Sequence, residues 1–322
     1  MFRVVKSRLN TKRSGFKIEE SLLNQSFFYL MLEFPSRVAI TEEMINKNSI
    51  ARKISSRKGD NGIVLVIGGS RIYHGAPILA SLAALRAGTD LVYTGVPKSN
   101  VNVTRAASPN LIVIPLSDER LTVGAVSRLI KTMPKKVDSA AIGMGLNIAK
   151  KEAITVLVKK LLENGTKLVL DASALIPEIL PIIANTKSII TPHGGEYIRI
   201  FETELKDKLE DQIKDVESFS REYGITMILK GQNNIISDGD QTAVVQRTTS
   251  AMTVGGTGDI LAGLVAGLFT KMNPFNAGCC GIYFNGKAAE IAYDKVGFHM
   301  MATDLLDILP QIMKKFDSMS EN

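Results

Sequence analysis

From Gly62 onward, short runs of aliphatic and β-branched residues alternate with longer stretches of helical period, and this alternation narrows the possible folds more than any other feature of the 322 residues. Most of the short runs are too apolar to have a wet face. A strand that is apolar on both sides must be covered on both sides, the condition of a parallel sheet between two helical layers. The pattern predicts strands at 63–67, 91–96, 111–114, 140–142, 167–170, 188–190, 226–229, 234–237 and 243–246. Helices are expected at 77–87, 121–132, 149–163 and 208–223, and then at 257–271, 274–295 and 302–315 as the last third turns helical. Asp238-Gly239-Asp240 offers a tight turn, so the strands after Gly224 should pair as antiparallel hairpins. The expected fold is α/β, a three-layer α/β/α domain with a mostly parallel central sheet.

The formal charge of +7 suggests nucleic-acid binding until it is followed along the chain. Residues 1–58 hold 12 Lys/Arg against 5 Asp/Glu, which equals the whole excess, so the remainder is balanced. No nucleic-acid footprint is expected on the body. Residues 1–40 do not join the strand–helix rhythm and are read as a basic N-terminal extension preceding a 41–322 domain. Their longest apolar run, 27–32, is too short for a membrane span or a signal peptide. Two adjacent cysteines, Cys279 and Cys280, sit in a Gly/Ala-rich helical stretch and build neither a disulfide framework nor a CxxC metal site. The expectation is a cytoplasmic protein without membrane attachment.

In open α/β sheets ligands bind at the carboxyl ends of the strands, so the residues after each apolar run are the candidates for chemistry. Those junctions read Gly68-Gly69-Ser70 followed by Tyr73-His74-Gly75-Ala76-Pro77, then Gly143-Met144-Gly145, Asp171-Ala172-Ser173, Thr191-Pro192-His193-Gly194-Gly195-Glu196 and Lys230-Gly231. The most specific element is Gly255-Gly256-Thr257-Gly258-Asp259 at the start of an apolar helix. Glycines permit a turn of positive φ, and the N–H groups of the helix start then form an anion cradle assisted by the helix dipole. Asp259 in that first turn is placed to take a proton from a substrate hydroxyl.

Bland alternatives stand beside these readings. Asp259 could be only a helix-start acid, His193 a buried loop histidine, Asp171 a helix cap, and Lys230 a solvated strand end. No GxxxxGK[ST] loop is present and GxGxxG is not completed after Gly143, so a phosphate-handling enzyme outside those two groups is indicated.

Taken together, the Gly68-Gly69-Ser70 turn, Gly75-Ala76, Gly143-Met144-Gly145-Leu146, Asp171-Ala172-Ser173-Ala174-Leu175, Thr191-Pro192-His193-Gly194-Gly195-Glu196, Lys230-Gly231 and Gly256-Thr257-Gly258-Asp259 resemble the ADP/ATP-dependent NAD(P)H-hydrate dehydratase family, a branch of the ribokinase-like fold. The resemblance implies phosphorylation of a hydrated NADH or NADPH ring by ADP or ATP, with Mg²⁺, followed by loss of phosphate. It implies that Ala76, Gly143, Gly145, His193 and Asp259 meet the hydrated cofactor. Lys230, Gly231, Gln232, Asn233, Asn234, Gly256, Thr257 and Gly258 would hold the nucleotide, with Asp259 as the catalytic base. A homo-oligomer is expected, a tetramer among the options.

The chain departs from the family at Met144 and Gly194, where Pro is common, and in residues 230–234, which lack the usual small residue and final Thr. Many relatives carry an N-terminal epimerase domain that 40 residues cannot encode, so epimerisation is expected from another protein. Two rival functions remain at this level: a hydroxyethyl- or hydroxymethyl-substrate kinase of the same fold, and a nucleotide-binding protein without turnover.

Overall fold

The structure is a computed structural model that describes residues 37–49, 51–117 and 119–321. The extension at 1–36, with its apolar run 27–32, lies outside the described residues. Residues 37–40 already belong to the body: the Val38 N–H donates to the Thr242 carbonyl at 2.9 Å, and Ile40 is buried.

In chain order the helices are α1 (Glu42–Asn48), α2 (Gly75–Arg86), α3 (Val101–Ala107), α4 (Val123–Thr132), α5 (Lys151–Glu163), α6 (Leu180–Ile183), α7 (Gly194–Phe201), α8 (Leu209–Tyr223), α9 (Thr257–Phe269), α10 (Pro274–Val296) and α11 (Ala302–Met313). The strands are β1 (Arg52–Lys53), β2 (Ile63–Ile67), β3 (Leu91–Pro97), β4 (Ile112–Leu116), β5 (Ser139–Ile142), β6 (Lys167–Leu170), β7 (Ile189–Ile190), β8 (Thr226–Leu229), β9 (Asn233–Ser237), β10 (Thr242–Gln246) and β11 (Met319–Ser320). Nine of them form one sheet in the order β10-β9-β8-β7-β6-β5-β2-β3-β4. Pairing is parallel from β4 to β8, and β9 and β10 complete the sheet antiparallel, as the turn at Asp238 predicts. All nine strands expected from the sequence are present.

Side chains alternate across the sheet and each face buries its own set. Leu65 and Ile67 of β2 join a core with residues of α4, α5, α7 and α8. The other face is covered by α2, α9 and α10, and α9 is buried almost all round, from Ile260 through Phe269. It reaches that position because α2 and α9 meet at small residues. A Cβ on Gly263 would lie 1.9 Å from the Ala80 carbonyl oxygen, and one on Gly267 would lie 2.4 Å from the Ala87 Cβ. The Ser139 hydroxyl donates to the Ala266 carbonyl at 2.6 Å, fixing α9 against β5.

The sheet reverses its winding at β2. The chain runs outward through β3 and β4, then returns to place β5 on the other side of β2. That switch opens a crevice at the carboxyl ends of β2 and β5, where the Gly69 N–H donates to the Met144 carbonyl at 2.8 Å.

If the α2–α9 seam sets the position of α9, Gly263→Ala should lower stability by about 1–3 kcal/mol or more through overpacking against backbone. Gly286→Ala, in α10 with nothing within 4 Å of the added Cβ, should instead raise it by about 0.5–1 kcal/mol. Urea unfolding of both variants is the measurement. Equal midpoints would remove the seam from the account.

Candidate active site

The glycine turn before α9 explains itself locally. Gly256 takes φ +103°, a conformation that strains any residue with a Cβ, and a Cβ there would also come within 2.6 Å of Leu79 and 2.8 Å of Ala302. The first intrahelical bond is Ile260 N–H to the Gly256 carbonyl, 3.0 Å. The N–H groups of Thr257, Gly258 and Asp259 precede it and have no acceptor within the helix. The Thr257 hydroxyl turns inward to the carbonyls of Met252 (2.9 Å) and Val254 (3.2 Å), so this residue offers the cleft only its backbone. From α10 the Asn285 amide donates to the Thr257 carbonyl at 3.4 Å.

Facing this turn is a cluster of charges drawn from the ends of β6, β7 and β8. Lys230, the residue after β8, places Nζ 2.7 Å from Asp171 Oδ1 and 3.8 Å from Glu196 Oε2, and a Cβ on Gly258 would be 3.6 Å from that Nζ. The Thr191 hydroxyl donates to the same Asp171 oxygen at 2.7 Å. Burial pushes the Lys230 ammonium towards losing its proton, but the carboxylates of Asp171, Glu196 and Asp259 more than compensate and raise its pKa above the ordinary value. For Asp259 the balance runs the other way. Burial and the charge of Asp171, with a smaller push from Glu196, outweigh the attraction of Lys230 and raise its pKa from 3.8 to about 7.

The bland alternatives for two residues fall here. Asp171 sits at the start of the short 3₁₀ turn Ala172–Ala174 but makes no side-chain cap there, and its carboxylate is committed to Lys230 and Thr191. Lys230 is mostly buried and ion-paired, so it is not a solvated strand end.

His193 is neither buried nor idle: its side chain is 59% exposed and caps α7. Nδ1 accepts from the N–H groups of Gly195 (3.0 Å) and Glu196 (3.3 Å), which leaves the imidazole proton on Nε2, 3.3 Å from Glu196 Oε1. The Glu196 carboxylate in turn accepts from the His193 N–H at 2.9 Å. Glu196 thus joins His193 to Lys230.

The substrate-side glycines are close-approach positions. A Cβ on Gly143 (φ +120°) would lie 1.9 Å from the Asp171 carbonyl oxygen, and one on Gly145 (φ +65°) 2.7 Å from the Tyr73 Cβ and 3.2 Å from that of Ala76. Ala76 and Gly145 are therefore neighbours at the crevice mouth, with Tyr73 exposed beside them. The 231–234 segment stands apart from the charged cluster. Gly231 and Gln232 are exposed, the Gln232 carbonyl accepts from the Arg247 N–H at 2.7 Å, and Asn234 spans the hairpin from the Gly231 N–H (3.4 Å) to the Val245 carbonyl (3.5 Å).

Four residues that shape the cluster were not among the candidate ligands: Asp171, Thr191, Glu196 and Asn285. The first three follow strand ends and were visible as motif members. Asn285 is an amide directly after the apolar stretch 278–284 of α10, and its only signal is that context.

A carboxyl group that titrates near 7 in the fold against 3.8 ordinarily holds its proton more tightly when folded, so ionising it costs stability. The loss grows as pH rises from about 4 to about 7 and is constant above. Asp259→Asn, which carries no such charge, should therefore gain on the parent by on the order of 1–3 kcal/mol between pH 4 and pH 8. Chemical unfolding at the two pH values measures it, and a difference independent of pH would contradict the charge balance described.

Comparisons with known proteins give the family of the chain. The family model described as NAD(P)H-hydrate dehydratase matches residues 64–311. An ADP-dependent (S)-NAD(P)H-hydrate dehydratase of Nitrosopumilus maritimus is 52% identical over 283 residues, 88% of this chain and 99% of that protein. One of the same description from Cenarchaeum symbiosum is 48% identical over 86% of this chain and 97% of its own length. A bifunctional NAD(P)H-hydrate repair enzyme of Pyrobaculum aerophilum is 37% identical over 83% of this chain, which spans 54% of that longer protein. Among solved structures, the Bacillus subtilis ADP/ATP-dependent NAD(P)H-hydrate dehydratase co-crystallised with ATP/Mg²⁺ superposes with a TM-score of 0.74 at 25% identity, over 86% of this chain and 98% of that one.

Proposed function

The chain belongs to the NAD(P)H-hydrate dehydratase family, and on that premise we propose that it restores NADH and NADPH from their hydrated forms by nucleotide-dependent dehydration. It is a hydro-lyase that repairs a damaged cofactor. ADP is the donor we favour, because the relatives at 52% and 48% identity carry the ADP-dependent name. The observation that carries the reading is Asp259, a partly buried carboxyl group titrating near 7 in the first turn of a glycine-opened helix beside the Lys230 ammonium.

Asp259 accepts the proton of the ring hydroxyl as its oxygen attacks the terminal phosphorus of the nucleotide. The N–H groups of residues 257–259 and the Lys230 ammonium stabilise the charge on the transferring phosphoryl group. The phosphate then leaves with the C–O bond electrons, pushed out by the ring nitrogen lone pair. Loss of a proton from the neighbouring ring carbon restores the double bond, so one ADP yields AMP and inorganic phosphate.

In this reading Ala76, Gly143, Gly145 and His193 line the side that receives the hydrated ring. The hairpin at 231–234 flanks the nucleotide. Mg²⁺ fits as part of the nucleotide substrate, carried on its phosphates. We further propose a homo-oligomer, supported by exposed apolar side chains at Ile72, Tyr73, Phe298 and Met301. A reducing cytoplasm suits the two free buried cysteines, and no helix among the described residues is long and apolar enough to cross a membrane.

The primary experiment mixes the protein with hydrated NADH and ADP, then ATP, and follows the return of reduced-ring absorbance. A kinase that keeps its phosphorylated product, or a binding protein, would restore none. Activity should rise with pH through about 7 as Asp259 ionises. Asp259→Asn should lower kcat by about 10²–10⁴ while nucleotide affinity, measured by calorimetry, survives. Turnover within threefold of the parent would remove Asp259 from the mechanism. In the same assay His193→Ala should raise KM for the hydrate more than for nucleotide, and Lys230→Ala the reverse. Equal effects would mean the two halves of the cleft are wrongly divided.

A further inference from the structure

Among the groups of the cleft, Asp171 is given no part in the reaction described above, yet its backbone and side chain are constrained from four directions. Its side chain is 4% exposed and its Oδ1 receives both the Lys230 ammonium and the Thr191 hydroxyl at 2.7 Å. Its carbonyl lies where only a glycine at 143 leaves room. The next residue, Ala172, is held at φ +49°, a left-handed conformation that strains a residue with a Cβ. That conformation is secured by Arg199 of α7, whose guanidinium donates to the carbonyls of Ala172 and Leu175. An aspartate needed only to start a 3₁₀ turn would cap it, and this one does not. The strained loop instead turns a buried carboxylate away from its own backbone and onto Lys230, which faces the glycine turn.

We propose that Asp171 is a positioning residue for phosphoryl transfer: it anchors the Lys230 ammonium beside the glycine turn and, with that ion pair, sets the charge against which Asp259 works. This rests on the phosphoryl-transfer reading of the same cleft. The charged groups facing Asp259 are Asp171 from the end of β6, Lys230 from the end of β8 and Glu196 from the start of α7, which also holds His193. The elements packed against its own turn bring neutral groups: Leu79 of α2, Asn285 of α10 and Ala302 of α11. With Asp259 ionised, three carboxylates share one ammonium. Asp171 therefore opposes the binding of an anion while it aligns the cation that the reacting phosphoryl group needs. Binding and turnover should respond to its loss in opposite senses, which a merely structural residue would not produce.

Asp171→Asn keeps the shape and removes the charge. Its kcat with hydrated NADH and ADP should fall about tenfold or more, as expected when a preorganised charge is lost. ADP affinity by calorimetry should stay equal to the parent's or tighten. The acid limb of the kcat profile should move to lower pH, because a negative charge beside Asp259 is gone. Thr191→Val keeps every charge and loosens the anchor, so its kcat should fall several-fold with the acid limb in place.

Loss of ADP affinity in step with kcat in folded Asp171→Asn, or an unmoved acid limb, would overturn the proposal. If that variant does not fold, a Thr191→Val protein with parental kcat overturns it instead. A parent protein that fails to restore NADH with ADP or ATP would sink the phosphoryl-transfer reading itself, whatever the variants do.

Discussion

A helix buried almost all round has two ends that must be satisfied by something other than water, and in this molecule the two ends of α9 are satisfied in different ways. At the carboxyl end, Lys167 from the start of β6 donates to the carbonyls of Phe269 (2.8 Å) and Thr270 (3.3 Å), and burial there lowers its pKa. A cation at that end also suits the helix dipole. At the amino end the chain arrives through a left-handed glycine and leaves N–H groups aimed at the crevice. Burial makes their dipole count for more than it would in water. Close contact with α2 through Gly263 and Gly267 holds this end beneath the strand termini, so one packing seam determines where an anion can be bound.

The charge set around that end, on the proposed function, favours reactivity more than affinity. Asp171, Glu196 and Asp259 around Lys230 make a poor resting place for a diphosphate unless it brings a cation or one carboxylate takes a proton. Asp259 is the group of that set pushed towards protonation, because burial and Asp171 act on it together and Lys230 is closely shared with others. In the proposed reaction the same environment would suit it to act as a base near neutral pH.

Much of this was legible in the residues, and the parts that were not have physical reasons. Buried parallel strands read clearly because both faces are apolar, so Ile63–Ile67, Lys167–Leu170 and Thr226–Leu229 were bounded to the residue. Short elements lack a period: α1, α3, α6 and α7 fall outside the expected helices, as do the two-residue strands β1 and β11 that pair with each other. Strand-end logic collected Asp171, His193, Lys230 and Asp259 in one cleft, but it could not say which way each side chain turns. Asp171-Ala172-Ser173 has the composition of a helix cap, and only the left-handed Ala172 and the reach of Lys230 show that the carboxylate is used elsewhere. His193 reads as a ligand or a buried loop residue; the structure shows an exposed ring whose Nδ1 is already occupied by α7.

The rival kinase reading would call on the same groups, which raises the question of what would make such a site a dehydratase. A base, an anion cradle and an aligned ammonium suffice to phosphorylate a hydroxyl, and nothing more is required of the protein for elimination. The hydrated ring carries its hydroxyl on a carbon bonded to nitrogen, so once phosphate is attached the nitrogen lone pair can expel it. An ordinary primary alcohol offers no such push, and its phosphate stays. The distinction therefore lies in what the crevice admits, and on the proposed function admission would fall to the close-approach glycines Gly143 and Gly145, with Ala76 and Tyr73 at the mouth. The ribokinase-like scaffold supplies one chemistry, and substrate choice at the switch between β2 and β5 converts it from making a phosphate ester to discarding one.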